Sequence, residues 1–299
     1  MSDNLSGVLI LDKPDGITSH DAVNKMRHIF STKKVGHTGT LDPMATGVLP
    51  ILIGGAVKAS EYLMSEDKEY VAKMVLGIET DTEDTSGMTI KTSDYIPSDS
   101  EVIKAVNSFL GDYDQIPPMY SALKVGGEKL YDKARRGETV EREARRVRVD
   151  EIEAKKLSER EWEIRAKVSK GTYIRTLLAD IGKKLGCGGA MGALRRTLTG
   201  DFTIENAYTL EEVEKANDLR RLLVPTEELF KKYEKVILSE FYLRLAKNGA
   251  EIYLSRAKLQ GLCEGQRVRM YDSDGAFFAL GEVRAFPSGL AVKPIKFFN

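Results

Sequence analysis

The chain has 299 residues, 42% of them hydrophobic and 30% charged, which is enough for a large core and two domains and excludes disordered and fibrous classes. Its 45 lysines and arginines balance its 45 aspartates and glutamates, so no overall basic field marks it as a nucleic-acid binder. The longest uncharged stretch, 43–57, contains Pro50 and three glycines and falls short of the ~20 apolar residues of a membrane span. The start Met1-Ser2-Asp3-Asn4 has neither the basic nor the apolar region of a secretory signal, and Cys187 and Cys263 stand far apart without CxxC spacing. The expectation is a cytoplasmic protein with reduced thiols, no membrane association, no disulfide and no bound metal.

Gly7 to Leu11 reads as a short apolar strand. Thr18 or Ser19 can cap a helix whose Ala22, Val23, Met26, Ile29 and Phe30 keep the helical period. From Ala22 to Leu41 there is no acidic residue, and Lys25, Arg27, Lys33 and Lys34 form a basic stretch leading into a glycine-rich run, Val35 to Pro50. There Asp42 precedes Pro43, which pushes it out of the helical region, and Gly36 and Gly39 are placed to supply unusual dihedrals or close backbone approach. On the residues alone Asp42 has two readings: a fixed, exposed carboxylate for chemistry, or an Asx-type turn that bonds nearby amides.

Tyr70, Ala72, Met74 and Leu76 alternate with Val71, Lys73 and Val75, a strand apolar on nearly both faces and central in a sheet. Glu79 to Gly87 misses the calcium-loop pattern, because Gly87 comes one place late and Thr92 stands where a bidentate glutamate is needed; it reads as a polar turn. Val102, Ala105, Val106, Phe109 and Leu110 form a helical stripe ended by Gly111. A polar excursion from Asp112 to Arg146 follows, too long for a plain connection. Between Ile116 and Arg148 there are nine basic residues against five acidic ones, interleaved with Tyr120 and Tyr131. Trp162 to Val168 is a strand, and Gly171-Thr172-Tyr173 turns into a helix carrying Ile174, Leu177, Leu178, Ile181 and Leu185, closed by Gly186. After Phe230 a charged hinge, Lys231 to Lys235, opens a segment of short, mostly β-like pieces. In it Asp274-Gly275 makes a hairpin turn between 267–271 and 276–283, and Leu290 to Phe297 is the last strand of a small β-barrel. Neither GxxxxGK[ST] nor GxGxxG occurs, which removes phosphotransferase and dinucleotide-binding readings.

The run Val35 to Pro50 resembles, without a gap over sixteen positions, the nucleophile motif of the TruB family of tRNA pseudouridine synthases. Gly7 to Ser19 is similar to the family's amino-terminal lysine-proline motif, with Lys13 and Pro14 in structural roles. Gly171 to Leu177 and Leu194 to Thr197 resemble further motifs. Gln115 to Tyr131 resembles the inserted thumb of the bacterial stand-alone enzymes, and Leu259 to Gly265 resembles a PUA motif. The resemblance implies an α+β pseudouridine synthase fold with a mixed, largely antiparallel central sheet over residues 1–232, a thumb insertion at about 112–146, and a small carboxyl-terminal PUA-like RNA-binding β-barrel over 233–299.

It also implies the reaction: uridine in the TΨC loop of tRNA is flipped out, detached from its ribose, rotated and rejoined through carbon 5, with no cofactor. Asp42 is then the catalytic carboxylate, adding covalently to the sugar or ring, or removing a ribose proton to give a glycal. Arg175 pairs with Asp42, orients it and keeps it ionised. Tyr70 stacks on the uracil, Tyr173 lines the base pocket, Leu194 packs under the base, and His37 helps hold the extruded loop. Lys25, Lys33, Lys34, Lys124, Lys129 and Arg135 are expected on the phosphates of the T stem-loop, and no protein partner is implied. Two rivals remain. A guide-RNA-dependent relative from box H/ACA particles shares the aspartate motif but lacks the long thumb, so the excursion from Asp112 to Arg146 argues against it. A catalytically silent tRNA chaperone needs grip without turnover, and the joint presence of Asp42, Tyr70 and Arg175 disfavours it.

Overall fold

The computed structural model describes residues 5–64, 66–121 and 123–298. The chain opens with strand β1 (Gly7–Lys13), helix α1 (Ser19–Ile29) and strands β2 (Val35–His37) and β3 (Thr46–Ile53). Thr18 caps α1 in a reciprocal box: its hydroxyl accepts from the Asp21 amide, and the Asp21 carboxylate accepts from the Thr18 amide. A 3-10 turn and helix α2 (Ser60–Leu63) lead to β4 (Lys68–Leu76), whose Tyr70, Ala72, Met74 and Leu76 are buried. Val71, Lys73 and Val75 on its other face are only half-buried, so that face is less enclosed than the sequence suggests.

The acidic stretch folds as a hairpin of β5 (Ile78–Thr80) and β6 (Thr89–Thr92). Helix α3 (Asp99–Asn107) stops at Asn107 rather than running on to Gly111. Phe109 and Leu110 continue the apolar stripe by coincidence, and Leu110 is exposed. Gly111, with φ at +95°, instead opens strand β7 (Gly111–Gln115). Strands β8 (Lys124–Val125) and β9 (Glu128–Lys129), helix α4 (Leu130–Arg135) and strand β10 (Arg145–Lys156) follow. Because β7 and β10 pair antiparallel with Gln115 opposite Arg145, residues 116–144 are an excursion inserted into a hairpin. Then come β11 (Glu161–Val168), α5 (Ile174–Leu185), closed by Gly186 at φ +78°, β12 (Gly189–Thr199), β13 (Phe202–Thr203), α6 (Leu210–Glu214) and β14 (Leu223–Val224).

These strands build one ten-stranded sheet along the path β14-β1-β3-β12-β4-β11-β10-β7, with β13 added to β12 and β2 to β3. The pairing of β12 with β3 is parallel, the others antiparallel, and β4 lies centrally as its sequence implies. A core of Ala22, Val23 and Met26 from α1, Val102 and Val106 from α3, and Leu177, Leu178 and Ile181 from α5 packs on Tyr70, Ala72 and Met74. A second cluster around Val8, Ile10, Val48 and Leu52 fills the opposite side.

The carboxyl-terminal part contains β15 (Glu234–Ile237), α7 (Glu240–Lys247), β16 (Ile252–Tyr253), α8 (Leu254–Ala257), β17 (Arg267–Tyr271), β18 (Phe277–Phe286) and β19 (Gly289–Phe297). Its sheet runs β15-β17-β18-β19-β16, a half-barrel around its own core of Val236, Leu238, Val268, Met270, Phe278 and Val292. Helix α7 departs from the mostly β reading of this segment. Phe230, Phe277 and Phe298 join Ala59 and Leu280 in a separate cluster between the two sheets.

Candidate functional site

Asp42 sits in the loop between β2 and β3, and nearly everything around it serves to hold that loop. The Ser19 hydroxyl, at the start of α1, donates to the Leu41 carbonyl at 3.0 Å and accepts from the Leu41 amide at 2.9 Å. The fully buried Lys13 ammonium donates to the carbonyls of Pro43 at 3.1 Å, Pro14 at 2.8 Å and Ile17 at 2.7 Å, so the lysine-proline motif acts as an anchor. Arg196, also fully buried, donates from Nη2 to the Gly39 carbonyl at 2.8 Å and from Nε to the Val48 carbonyl at 2.7 Å. The loop is therefore clamped from α1, β1 and β12 at once.

Two glycines make that clamp possible. Gly39 has φ +67°, and a Cβ there would come within 3.0 Å of Arg196 Nη1; Gly47 has φ +102°, and a Cβ would lie 2.1 Å from the Arg196 carbonyl. Gly36 does not share this role. It lies in β2, and a Cβ on it would meet only Val57, at 3.7 Å.

The Asp42 carboxylate faces Arg175 Nε at 3.1 Å, so among the described residues the ion pair, not the Asx turn, is its use. Arg175 occupies the first turn of α5 and is buried. Its Nη1 lies 3.6 Å from Asp84 and donates to the Thr82 carbonyl at 3.2 Å, while Nη2 donates to the Tyr120 carbonyl at 2.9 Å. One guanidinium thus stands between two carboxylates, one half-exposed and one buried.

Asp84 is the residue the polar-turn reading missed. It is 5% exposed, and its Oδ1 accepts from the Ser86 amide at 3.0 Å and from the hydroxyls of Thr82 at 2.8 Å and Ser86 at 2.5 Å. The Asp-Thr-Glu-Asp-Thr-Ser string carried the signal for such a turn, but nothing local showed that it would be buried against α5. Beside it, Glu83 is pushed up by burial, opposed by the Thr176 hydroxyl and the Arg175 charge.

Tyr70 and Leu194 lie on neighbouring strands, with Leu194 opposite Ala72 and Arg196 opposite Tyr70. Both belong to the core cluster that includes Leu41 and Ala45, which flank Asp42, and Ile174, which precedes Arg175. Tyr173 is the extended N-cap of α5. Burial pushes its hydroxyl up, with Ser121, Arg145 and Arg175 opposing and Asp42 adding to the rise. His37, in the strand entering the loop, is held below its ordinary value by burial, then by Arg196 and His20, so it is neutral near pH 7. Among the described residues its Nδ1 is buried without a hydrogen-bond partner.

The six expected phosphate-contacting residues fall in two separate places. Lys25, Lys33 and Lys34 are exposed on and just after α1, Lys25 at 4.0 Å from Glu214. Lys124 is exposed on β8, whereas Lys129 and Arg135 both lean on the Tyr131 ring, at 5.2 and 5.4 Å from its centre. Sequence reasoning also missed Lys68, which packs beside Gly39 and is pulled down to about 8 by burial and then by Arg196.

Residues 27–174 match the model of the amino-terminal domain of TruB family pseudouridylate synthases, and residues 175–231 match that of the tRNA pseudouridylate synthase B carboxyl-terminal domain. The tRNA pseudouridine synthase B of Clostridium tetani is 45% identical, covering 93% of this chain and 96% of its own length; that of Alkaliphilus oremlandii is 43% identical, covering 94% of each. Among solved structures, a chain of a Cbf5-Nop10-Gar1 complex superposes with a TM-score of 0.71 at 27% identity, covering 99% of this chain and 85% of that one. A chain of an H/ACA RNP bound to a substrate RNA containing 2'-deoxyuridine gives 0.71 at 26% identity, covering 100% and 86%. With the loop, its arginine and the sheet beneath them in the arrangement described, this chain belongs to the TruB family of pseudouridylate synthases and is an isomerase of the pseudouridine synthase fold.

Proposed function

We propose that the chain converts uridine to pseudouridine in the TΨC loop of tRNA as a stand-alone enzyme. The observation that carries the reading is the 3.1 Å pair of Asp42 with a buried arginine, on a loop locked from three elements next to Tyr70, Tyr173 and Leu194. The reaction breaks the C1'–N1 bond, forms C1'–C5, releases the C5 proton and protonates N1, so no oxidant or reductant enters. Both routes to that outcome, addition by the carboxylate or removal of a ribose proton, need an ionised aspartate fixed against one face of an extruded nucleotide. Arg175 aims Asp42, Tyr70 and Leu194 sandwich the base, Tyr173 closes the pocket, and His37 as a neutral imidazole stacks on or bonds the extruded loop.

Residues 1–232 would form the catalytic domain, with the thumb expected at about 112–146 narrowed to the excursion 116–144 because 112–115 and 145–146 pair in the central sheet, and 233–299 a PUA-like RNA-binding domain. In support, the two parts have separate cores and the family match ends at residue 231, at the charged hinge. Lys25, Lys33, Lys34, Lys124, Lys129 and Arg135 would grip the T stem-loop backbone. The site of action would be the cytoplasm; among the described residues no helix is long and apolar enough to cross a membrane.

The guide-RNA-dependent alternative rests on the likeness to the H/ACA RNP chain at 26% identity. Identities of 43 to 45% to proteins named tRNA pseudouridine synthase B and the 116–144 excursion favour the independent enzyme. The test is incubation of an unmodified tRNA transcript with the protein alone, followed by nuclease digestion and chromatography, since pseudouridine and uridine have the same mass. One new pseudouridine in the T loop is expected. Conversion only with an added guide RNA, or binding without conversion, would favour one of the two rivals instead.

A further inference from the structure

We infer that Gln115, the last residue before the thumb excursion, is a positioning residue for the uridine pocket, holding Tyr173 and through it the start of the helix that carries Arg175. The inference rests on the reading of Tyr173 and Arg175 as pocket residues. Gln115 is 1% exposed, and its amide is fully engaged. Oε1 accepts from the Tyr173 amide at 2.8 Å, and Nε2 donates to the carbonyl of the same residue at 3.0 Å and to the Tyr113 hydroxyl. A side-chain amide here does what a neighbouring strand would do, satisfying both backbone groups of one residue. Since those two groups have fixed polarity, only one amide orientation fits, and neither a shorter nor a charged side chain reproduces it.

The clamped residue is where precision matters. Tyr173 is an extended N-cap, φ −97° and ψ 112°, with no side-chain cap of its own, and its carbonyl also accepts the first bond of α5, from Leu177 at 3.0 Å. Its fixed backbone therefore sets the first turn of α5, and the Arg175 Nε there lies 3.1 Å from Asp42. Misplacing reacting groups by about 1 Å costs on the order of 100-fold in rate.

Gln115 ties this point to the root of the thumb. It ends β7 opposite Arg145, and the excursion begins at the next residue. A few residues on, the Tyr120 carbonyl takes a bond from Arg175 at 2.9 Å, and Arg142, on the returning limb, donates to the Pro117 carbonyl at 2.9 Å. The thumb root and the pocket share bonds, so the excursion helps build the pocket besides reaching toward RNA.

The experiment compares Gln115→Glu and Gln115→Ala with wild type by tritium release from C5-labelled uridine in a T stem-loop transcript. It uses single turnover at saturating enzyme from pH 5.5 to 8.5, with affinity measured separately. A protonated glutamate keeps an acceptor for the Tyr173 amide and one donor for the Tyr173 carbonyl, and the Tyr113 hydroxyl can turn to donate to it. Once ionised it loses that donor and sets a negative charge against the Tyr173 carbonyl. The groups facing it are Tyr113, with the Asp180 and Glu83 carboxylates acting on that hydroxyl; Tyr173, with Arg175 and Asp42 beside it; and Arg145 across the ladder. Burial raises such a carboxyl toward the assay range.

The expected result is a Gln115→Glu rate close to wild type at the acid end, falling about 10-fold or more relative to wild type as pH rises, with RNA affinity within about 3-fold. Gln115→Ala should be slow at every pH. A Glu-to-wild-type ratio that stays flat across the range, or a loss confined to affinity, overturns the positioning role. The glutamate variant alone decides the matter if the alanine variant does not fold. Failure of the wild-type protein to release tritium would instead count against the proposed function.

Discussion

Arg175 carries one positive charge between two carboxylates, and removing each carboxylate should change a different property. Asp42→Asn keeps the shape that meets Arg175 and removes the reactive group, so pseudouridine formation should vanish while tRNA affinity stays near wild type; substantial residual turnover would sink the catalytic assignment. Asp84→Ala acts from behind. It strips a buried guanidinium of its buried counter-charge and leaves the Ser86 amide and hydroxyl without their acceptor, while the Thr82 hydroxyl keeps only its bond to the residue 84 carbonyl. A loss of about 3 kcal/mol in denaturant unfolding is expected, with slower turnover from the molecules that remain folded. Arg175→Lys should recover only part of the activity, because an ammonium cannot span Asp42, Asp84 and two carbonyls at once. Lys68 offers a pH test of the clamp. Its folded value, about 8 against 10.5 unperturbed, means that the native state holds this proton less tightly than the unfolded chain does. Stability from this group therefore rises with pH from about 8 toward 10.5, and a Lys68→Met melting temperature should exceed wild type at pH 7 by more than it does at pH 10. At this scale the sequence marked Asp42, Arg175, Tyr70, Tyr173 and Leu194 through motif resemblance. Asp84, Arg196 and Gln115 escaped notice because their partners lie far along the chain, Arg175 and Thr82 being 93 residues apart, and a distant contact to a main-chain carbonyl leaves no local pattern.

Elements with a clean period were legible: α1, α5, β4 and β11 each show an apolar stripe or alternation that the structure buries. The Asp-Gly hairpin was legible for a different reason, since Gly275 supplies φ +82° and Asp272 accepts from the amides of Asp274 and Ala276. The end of α3 was not, because the apolar stripe outlasts the helix. Helix α7 was hidden by its brevity among strand-like segments. The parallel junction of β3 with β12 had no signature beyond a pair of glycines, and it is there that the loop is locked. Gly47→Ala would drive a Cβ to 2.1 Å from the Arg196 carbonyl at a φ of +102°, so both strands must part or the turn must rebuild. About 3 kcal/mol or more of stability should be lost, with activity falling in step as the loop slackens. Gly36→Ala is the control, with room around it and an ordinary strand backbone, and it should unfold within about 1 kcal/mol of wild type. Equal behaviour of the two variants would remove the argument that Gly47 is there for close approach.

At the scale of the whole molecule the difficulty is charge, since a zero net charge supplies no long-range attraction to RNA. Binding must then come from local surfaces, and the lysines of the first basic stretch are solvent-facing where it matters: Lys33 and Lys34 lie exposed at the entry to the Asp42 loop, with Lys25 on the outer side of α1. In the carboxyl-terminal half-barrel two prominent arginines are otherwise engaged. Arg269 donates to the Tyr233 carbonyl at 2.9 Å, and Arg267 lies 3.5 Å from the Tyr233 hydroxyl and over the Tyr62 ring, so both serve the junction between the sheets. Log affinity for a T stem-loop should fall with log salt by about 0.7 to 0.9 per phosphate neutralised. Replacing Lys25, Lys33 and Lys34 together by glutamine should flatten the slope by about 2 units, a little less than three full contacts because Lys25 is within 4.0 Å of Glu214. Arg269→Gln should leave the slope alone and lower the melting temperature. The two variants separate charge that meets RNA from charge that holds the molecule together. If the triple variant kept the wild-type slope, the basic stretch before Asp42 would be a solvated face, and the thumb cations Lys124, Lys129 and Arg135 would have to account for the electrostatic grip on their own.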